Sequence, residues 1–348
     1  MKKTIAPSCD NKRRAFLKLC GILSLGSATT ALLPVEHAEA LLFGKDEYKI
    51  SKTRLAMGSF LAITAIHSSQ DEAENAIGLA FEEVDRLSKL LSRHDASTPL
   101  SYLNNNGKLP QGEKEVAEVV ARSLYYHRLT GGAFDITVKP LLDLYQSRFS
   151  SGQKPTDSDI LALLPQIGST NLRFTDNAIS FSRAGMGITL DGIAPGYIVD
   201  RISELLSKKG IVNHLINASG DIRVSGVAAK GKPWTVAIQD PAKNQAYPEV
   251  IWMSSGAIST SGDYEVYYDQ EKMFHHIVDG RTGHSPVWST SVTIKAPTVM
   301  DSDALSTSLF VMDPQDGIRM LSSQSGCECF IIGRNGQTRQ SDGWSTKS

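Results

Sequence analysis

Apolar residues recur at three- and four-residue spacing through 71–93, at Ala73, Ile77, Ala80, Phe81, Val84, Leu87 and Leu91. That spacing predicts an amphipathic helix with one buried stripe. A second helix is expected over 114–130, ended by Gly131-Gly132, because glycine readily leaves the helical backbone. Residues 157–164 predict a short helix. Ile198, Val199, Ile202, Leu205 and Leu206 give 195–209 an apolar face, and helices are also expected over 301–311 and 314–323. Shorter apolar runs predict strands: 48–67 with a turn near Met57-Gly58, then 171–182, 211–217, 221–227, 233–239, 249–253, 257–260, 264–268, 273–279 and 288–295. The polar segment 92–107, "SRHDASTPLSYLNNNG", predicts a loop. The fold class is therefore α+β, one integrated domain with two sublobes and a strand-rich C-terminal half.

The first forty residues break the pattern. Arg13 and Arg14 precede Phe16-Leu17-Lys18, a moderately apolar stretch runs over 19–33, and Ala38-Glu39-Ala40 fits an A-x-A cleavage site. This resembles a twin-arginine export signal. It implies a mature domain over 41–348 working in a bacterial periplasm. Net charge is -1 and no basic stripe is present, which argues against nucleic acid as a partner. No apolar run reaches the roughly 18 residues of a membrane span. Outside the leader, Cys327 and Cys329 remain. Their spacing suits neither a disulfide nor a metal site, so they are expected as small buried residues.

Four stretches could carry chemistry. In "GITLDGIAPGYIVDR", from Gly187 to Arg201, small residues lead into a helix that Pro195 suits at its first turn. Such a loop is either a plain turn or a cradle whose N–H groups meet a phosphate. "NASGDIRVSG", from Asn217 to Gly226, fits a tight turn holding Asp221. In "HHIVDGRTGHSP" a strand would put His276 and Val278 on one face and Ile277 and Asp279 on the other. A histidine there suits acid–base work or a satisfied strand end. In "MDSDALSTSLF", Asp303 and Thr307 stand four apart and share a helix face. Carboxylate plus hydroxyl is hard oxygen ligation of the kind Mg²⁺ takes, or else a helix cap with a buried threonine.

The ordered set "AMGSF", "SRHDASTPLSYLN", "TGGAFDITVKPL", "LDGIAPGYIVD", "NASGDI", "STSGDYE", "HHIVDGRTG" and "DALSTSLF" resembles the FAD:protein FMN transferase (ApbE) family from about Thr53 to Met312. The resemblance implies an ApbE-like fold and a transferase that binds FAD and Mg²⁺. Such an enzyme cleaves the FAD diphosphate, releases AMP and moves FMN to a threonine hydroxyl of an acceptor flavoprotein. It implies metal ligation by Asp303 and Thr307, with Ser306 assisting and Gly192 lending a backbone carbonyl. Met57, His94, Ala133, Phe134, Asp135, Thr189, Pro195 and Ile277 fall on flavin- or nucleotide-binding motif positions, and His276 on that of a base for the acceptor threonine. Pro195 replaces the usual lysine, Thr189 takes the usual aspartate's place with Asp191 two positions on, and Gly280 replaces the proline of "DPRTG". These departures resemble a branch dedicated to one acceptor, with a membrane respiratory complex among the candidates. Two other readings share the same residues: an FAD pyrophosphatase, with water in place of threonine, and a non-catalytic flavin-binding or assembly protein.

Overall fold

Three antiparallel strands begin the main sheet, the second and third joined by a two-residue turn. The computed structural model describes residues 39–42, 47–242, 247–264, 266–269 and 273–346. The expected export signal lies outside these, apart from residues 39 and 40. β1 (Glu39–Leu42) pairs with β2 (Tyr48–Ala56), which pairs with β3 (Ser59–His67). Met57 and Gly58 link β2 to β3 with φ of 53° and 77°, the left-handed pair that lets a two-residue turn follow the natural strand twist. α1 (Gln70–Leu91) follows, capped by Ser69, whose hydroxyl accepts from Glu72 N. Its predicted stripe is buried in full.

Within the expected loop 92–107 the chain forms α2 (Pro99–Asn106). Thr98 Oγ1 accepts from Ser101 N at 3.0 Å, Pro99 occupies the first turn, and Gly107 closes the helix at φ 71°. The cap chemistry at both ends outweighs the polar composition of the segment. β4 (Lys108–Leu109), α3 (Lys114–Leu129), α4 (Lys139–Ser150) and α5 (Asp157–Leu163) come next, then the β5 (Leu172–Thr175) and β6 (Ala178–Phe181) hairpin. β4, β6 and β5 form a small sheet.

After α6 (Ala194–Lys208) the chain turns strand-rich, as expected: β7 (Asn213–Ala218), β8 (Asp221–Ser225), β9 (Trp234–Ala237), β10 (Val250–Met253), β11 (Ser255–Gly262) and β12 (Ser289–Ala296). α7 (Val299–Val311), α8 (Pro314–Leu321), β13 (Glu328–Gly333) and β14 (Thr338–Gln340) complete it. The large sheet runs β1-β2-β3-β7-β8-β11-β12-β13-β14, antiparallel throughout. One face packs on α1, α6 and α7 around Leu61, Ile63, Val199, Ile202, Ile294 and Leu309. The other is covered by the β9–β10 ribbon, where Trp234, Val236, Ile251 and Met253 meet Val224, Ile258 and Phe330. Cys329 is buried in β13 as expected, Cys327 is only half-buried, and both of these described cysteines are unpaired.

The strands expected over 264–268 and 273–279 do not form among the described residues, which show a single bridge, Tyr267 to His275. Side chains replace the missing ladder. Ser285 Oγ accepts from His275 N and donates to His275 O, both at 3.0 Å, and Asp269 accepts from Phe274 N at 2.9 Å. Local side-chain bonds of this kind satisfy backbone groups without a neighbouring strand. The segment is still extended enough to send Ile277 into the main core and Val278 into a satellite cluster with Leu141, Tyr145 and Ile160.

α6 and α7 touch at one glycine. A Cβ at Gly196 would lie 2.6 Å from Val299 O and 2.8 Å from Met300 Cα. Helix propensity favours alanine over glycine by about 1 kcal/mol. Here the obstacles are backbone atoms, so the clash wins. Gly196→Ala is expected to cost about 1–3 kcal/mol net, read as a lower urea midpoint with an unchanged slope.

Candidate functional site

The close α6–α7 crossing sets Asp303 against the start of α6. Asp303 Oδ2 accepts from Gly196 N at 3.0 Å. The carboxylate therefore takes the place of a capping side chain at that helix start. The neighbouring donors are also engaged: Ile193 N and Ala194 N bond Leu190 O at 3.0 and 2.8 Å, Asp191 N bonds Thr189 Oγ1 at 3.2 Å, and Pro195 has no N–H. The loop is thus a poor anion cradle. The oxygen found beside Gly192 is Thr307 Oγ1 of α7, which suits a cation.

Thr307 completes that corner. A Cβ built on Gly192 would lie 3.1 Å from Thr307 Oγ1 and 3.6 Å from Phe134 Cε2. Gly192, Phe134 and Thr307 are therefore immediate neighbours, although they lie far apart in sequence. Ser306 is buried, donating to Asp303 O at 2.9 Å and meeting Ser261 of β11 at 2.8 Å.

The site is strongly acidic. Burial, then Asp221, hold the Asp303 carboxyl well above its usual range, with Asp191 and Asp200 adding to the rise. Asp221 is only half-buried as a residue, yet burial is the main cause that pushes its carboxyl up to about 6, with Asp200 assisting. Burial also pushes Asp200 up to about 6, against N–H bonds from Met300 and Val299. A cation would relieve this crowding of carboxylates. Among the described residues no group of three His, Cys, Asp or Glu is arranged to hold a metal. The candidate set is one carboxylate, one hydroxyl and one carbonyl, a set Mg²⁺ completes with water or phosphate oxygens.

The other sequence-derived residues are placed as follows. Met57 sits half-buried at the β2–β3 turn. That turn lies beside the β7–β8 turn, where Ser59 and Ser219 hydroxyls bond each other. Ala133 and Phe134 are buried, Phe134 edge-on to Tyr126. Asp135 points inward: it pairs with His127 Nδ1 at 3.3 Å and accepts from Thr137 and Ser169. It therefore shapes the segment that carries Phe134. Thr189 N bonds Ile136 O at 2.8 Å, tying that segment to the loop. Pro195 is half-buried in the first turn of α6. His94 is exposed on the loop after α1, where its neighbour Arg93 bonds Asp191 Oδ2 at 2.9 Å. Ile277 is a core residue. His276 lies 2.9 Å through Nδ1 from Val266 O. The carbonyl can only accept, so Nδ1 carries a proton. His275 is instead buried, edge-on to Phe310 of α7, and burial pushes it down to about 4.

A family model described as the ApbE family matches residues 57–331. The chain belongs to the ApbE family. The FAD:protein FMN transferase of Klebsiella pneumoniae is 29% identical over 340 residues, covering 93% of this chain and 93% of that protein. That of Escherichia coli is 30% identical over 271 residues, 74% and 76% of the two chains. The crystal structure of the ApbE protein of Thermotoga maritima superposes with a TM-score of 0.76 at 28% identity, covering 84% of this chain and 97% of that one. The flavin transferase ApbE of Vibrio cholerae gives 0.73 at 25% identity, with 88% and 98% covered. The mixed α+β architecture expected from the sequence is thus that of ApbE proteins.

Within this ApbE chain, several residues at the site received no role from sequence reasoning: Ser261, Asp221, Asp200, Arg93 and His127. Four of them lie inside motifs that carried the resemblance, "STSGDYE", "NASGDI", "LDGIAPGYIVD" and "SRHD". Their motif membership was the available signal, and their contacts required the fold.

The Asp135–His127 pair gives a pH signature. The Asp135 bond, chiefly, raises His127 above 6.5, so its stabilisation is complete below 6.5 and fades as pH climbs through the raised value. Burial pushes Asp135 up, but His127, Thr137 and Ser169 more than offset it, so it ends below 3.8. Its stabilisation holds above 3.8 and fades as pH falls through the lowered value. Both hold fully between 3.8 and 6.5. His127→Gln is expected to cost about 1.5–3 kcal/mol near pH 5.5, with a smaller difference at pH 9, measured by urea unfolding at both.

Proposed function

We propose that this chain is an Mg²⁺-dependent FAD:protein FMN transferase that acts on a threonine of an exported or membrane-bound flavoprotein in the periplasm. The observation that carries the reading is the corner where Gly192 abuts Thr307 beside a buried Asp303, in a loop whose neighbouring N–H donors bond within the protein. The family membership supplies the flavin, and the leader pattern supports the location. Asp303, Thr307 and the Gly192 carbonyl would hold the ion, with Ser306 and Ser261 behind them. Mg²⁺, when bound, neutralises charge on the diphosphate of FAD.

The protein's own residues do the rest. Gly192 and Phe134 line one wall beside Thr307. Met57 marks the hairpin turn of the matched flavin motif. His276 Nε2 takes the proton of the acceptor threonine. The threonine oxygen bonds to the phosphorus on the FMN side, the bond from that phosphorus to the bridging oxygen breaks, and AMP leaves with the bridging oxygen. The acceptor must supply the hydroxyl, because hydrolysis by water would yield free FMN.

The mature chain, FAD, Mg²⁺ and an acceptor domain are expected to add one FMN mass to the acceptor by denaturing mass spectrometry. EDTA or a threonine-to-valine acceptor abolishes the addition. AMP and free FMN without any adduct would replace the transferase reading with FAD hydrolysis. His276→Gln is expected to lower the transfer rate about 10²–10⁴-fold with FAD binding retained, and an unchanged rate would move the base elsewhere.

A further inference from the structure

The hydroxyls behind Thr307 form a chain whose proton order is fixed by geometry. A carbonyl only accepts, so Ser306 gives its single hydroxyl proton to Asp303 O at 2.9 Å. Ser261 Oγ lies 2.8 Å from Ser306 Oγ. With the Ser306 proton committed, Ser261 is the donor of that bond. Ser261 Oγ also lies 3.4 Å from Thr307 Oγ1. The Ser261 proton is then committed too, and Thr307 is the donor there. The order runs Thr307 to Ser261 to Ser306 to the Asp303 carbonyl. Its consequence falls on Thr307, whose proton turns toward Ser261 of β11 and whose lone pairs are left for other partners beside Gly192.

We propose that Ser261 is a positioning residue of the cation site: it accepts the Thr307 hydroxyl proton, so that Thr307 presents oxygen lone pairs, not a proton, to the ion. The inference rests on the reading of Asp303 and Thr307 as metal ligands. Ser261 reaches both hydroxyl-bearing candidates on α7 from a different element. The strand therefore fixes the orientation that the helix alone leaves open. A hydroxyl rotates freely unless a partner holds it, and a ligand aimed with its proton toward a cation is repelled. Outer partners that orient metal ligands typically account for about 10–100-fold in affinity.

The test uses Mn²⁺ as the probe, with the free ion counted by electron paramagnetic resonance, on the metal-free mature chain. Wild type, Asp303→Asn, Ser261→Ala, Ser261→Thr and Thr260→Val are compared. Thr260 lies next to Ser261 on β11 and makes a matching hydroxyl pair with Thr293 at 2.9 Å, outside the chain to Thr307. Ser261→Ala is expected to weaken Mn²⁺ binding about tenfold or more. Ser261→Thr, which keeps the hydroxyl, restores binding to within about threefold of wild type. Thr260→Val leaves it unchanged, and metal-free melting temperatures of the Ser261 and Thr260 variants agree. If Asp303→Asn binds Mn²⁺ as wild type does, the cation-site reading fails and the proposal with it. If Asp303→Asn loses binding while Ser261→Ala keeps the wild-type affinity, the cation site stands and the role of Ser261 is overturned. Failure of Ser261→Thr to restore binding overturns it as well, since packing and not the hydroxyl would then be at work.

Discussion

The bond from Gly196 N–H to the Asp303 carboxylate joins the two helices on which the site depends. It requires α6 and α7 to approach within backbone contact, which only a glycine at position 196 permits. It satisfies one donor of the α6 first turn with a carboxylate from another helix. The same carboxylate is buried among Asp221, Asp200 and Asp191, and its desolvation is the price of that geometry. A buried, crowded carboxyl of this kind is costly unless something positive can reach it. The site is therefore organised around a charge that the protein alone only partly satisfies.

From that contact the rest of the corner follows. With Asp303 fixed, the next turn of α7 brings Ser306 to β11 and Thr307 to Gly192. Asp200 of α6 accepts from Val299 N and Met300 N, so α6 in turn caps α7. The loop between the "GAFD" segment and α6 is held from the other side by Thr189 N and by Arg93 on Asp191. Arg93 also lies 3.7 Å from Asp143 of α4. A cationic side chain thus stands beside the loop of a chain with proline at position 195. The hairpin turns at Met57 and Ser219, both at positive φ, are strained for residues other than glycine. The Ser59 and Ser219 hydroxyls bond across the two turns.

Much of this was legible in the chain itself. The stripe of α1, the glycine stop after α3, the proline start of α6 and the strand-rich second half follow from periodicity and end signals. Asp303 and Thr307, four residues apart, had to share a helix face once α7 formed. The short helix α2 was hidden by its polar composition, although its Thr98-Pro99 start and Gly107 end are strong local signals. The segment around His276 looked like a strand because its apolar alternation is genuine. Among the described residues it has no neighbouring strand to complete a ladder, and local sequence cannot reveal that.

The sequence by itself determined the elements, the apolar faces and the set of motifs, because these depend on local periodicity, capping and turn chemistry. Only the tertiary structure decided which oxygens meet. Gly192 and Thr307 are more than a hundred positions apart, and so are Gly196 and Asp303. Whether the loop before α6 offers N–H groups or oxygen depended on which distant side chain capped it. Packing between helices and sheet settles that question, and no spacing along the chain encodes it.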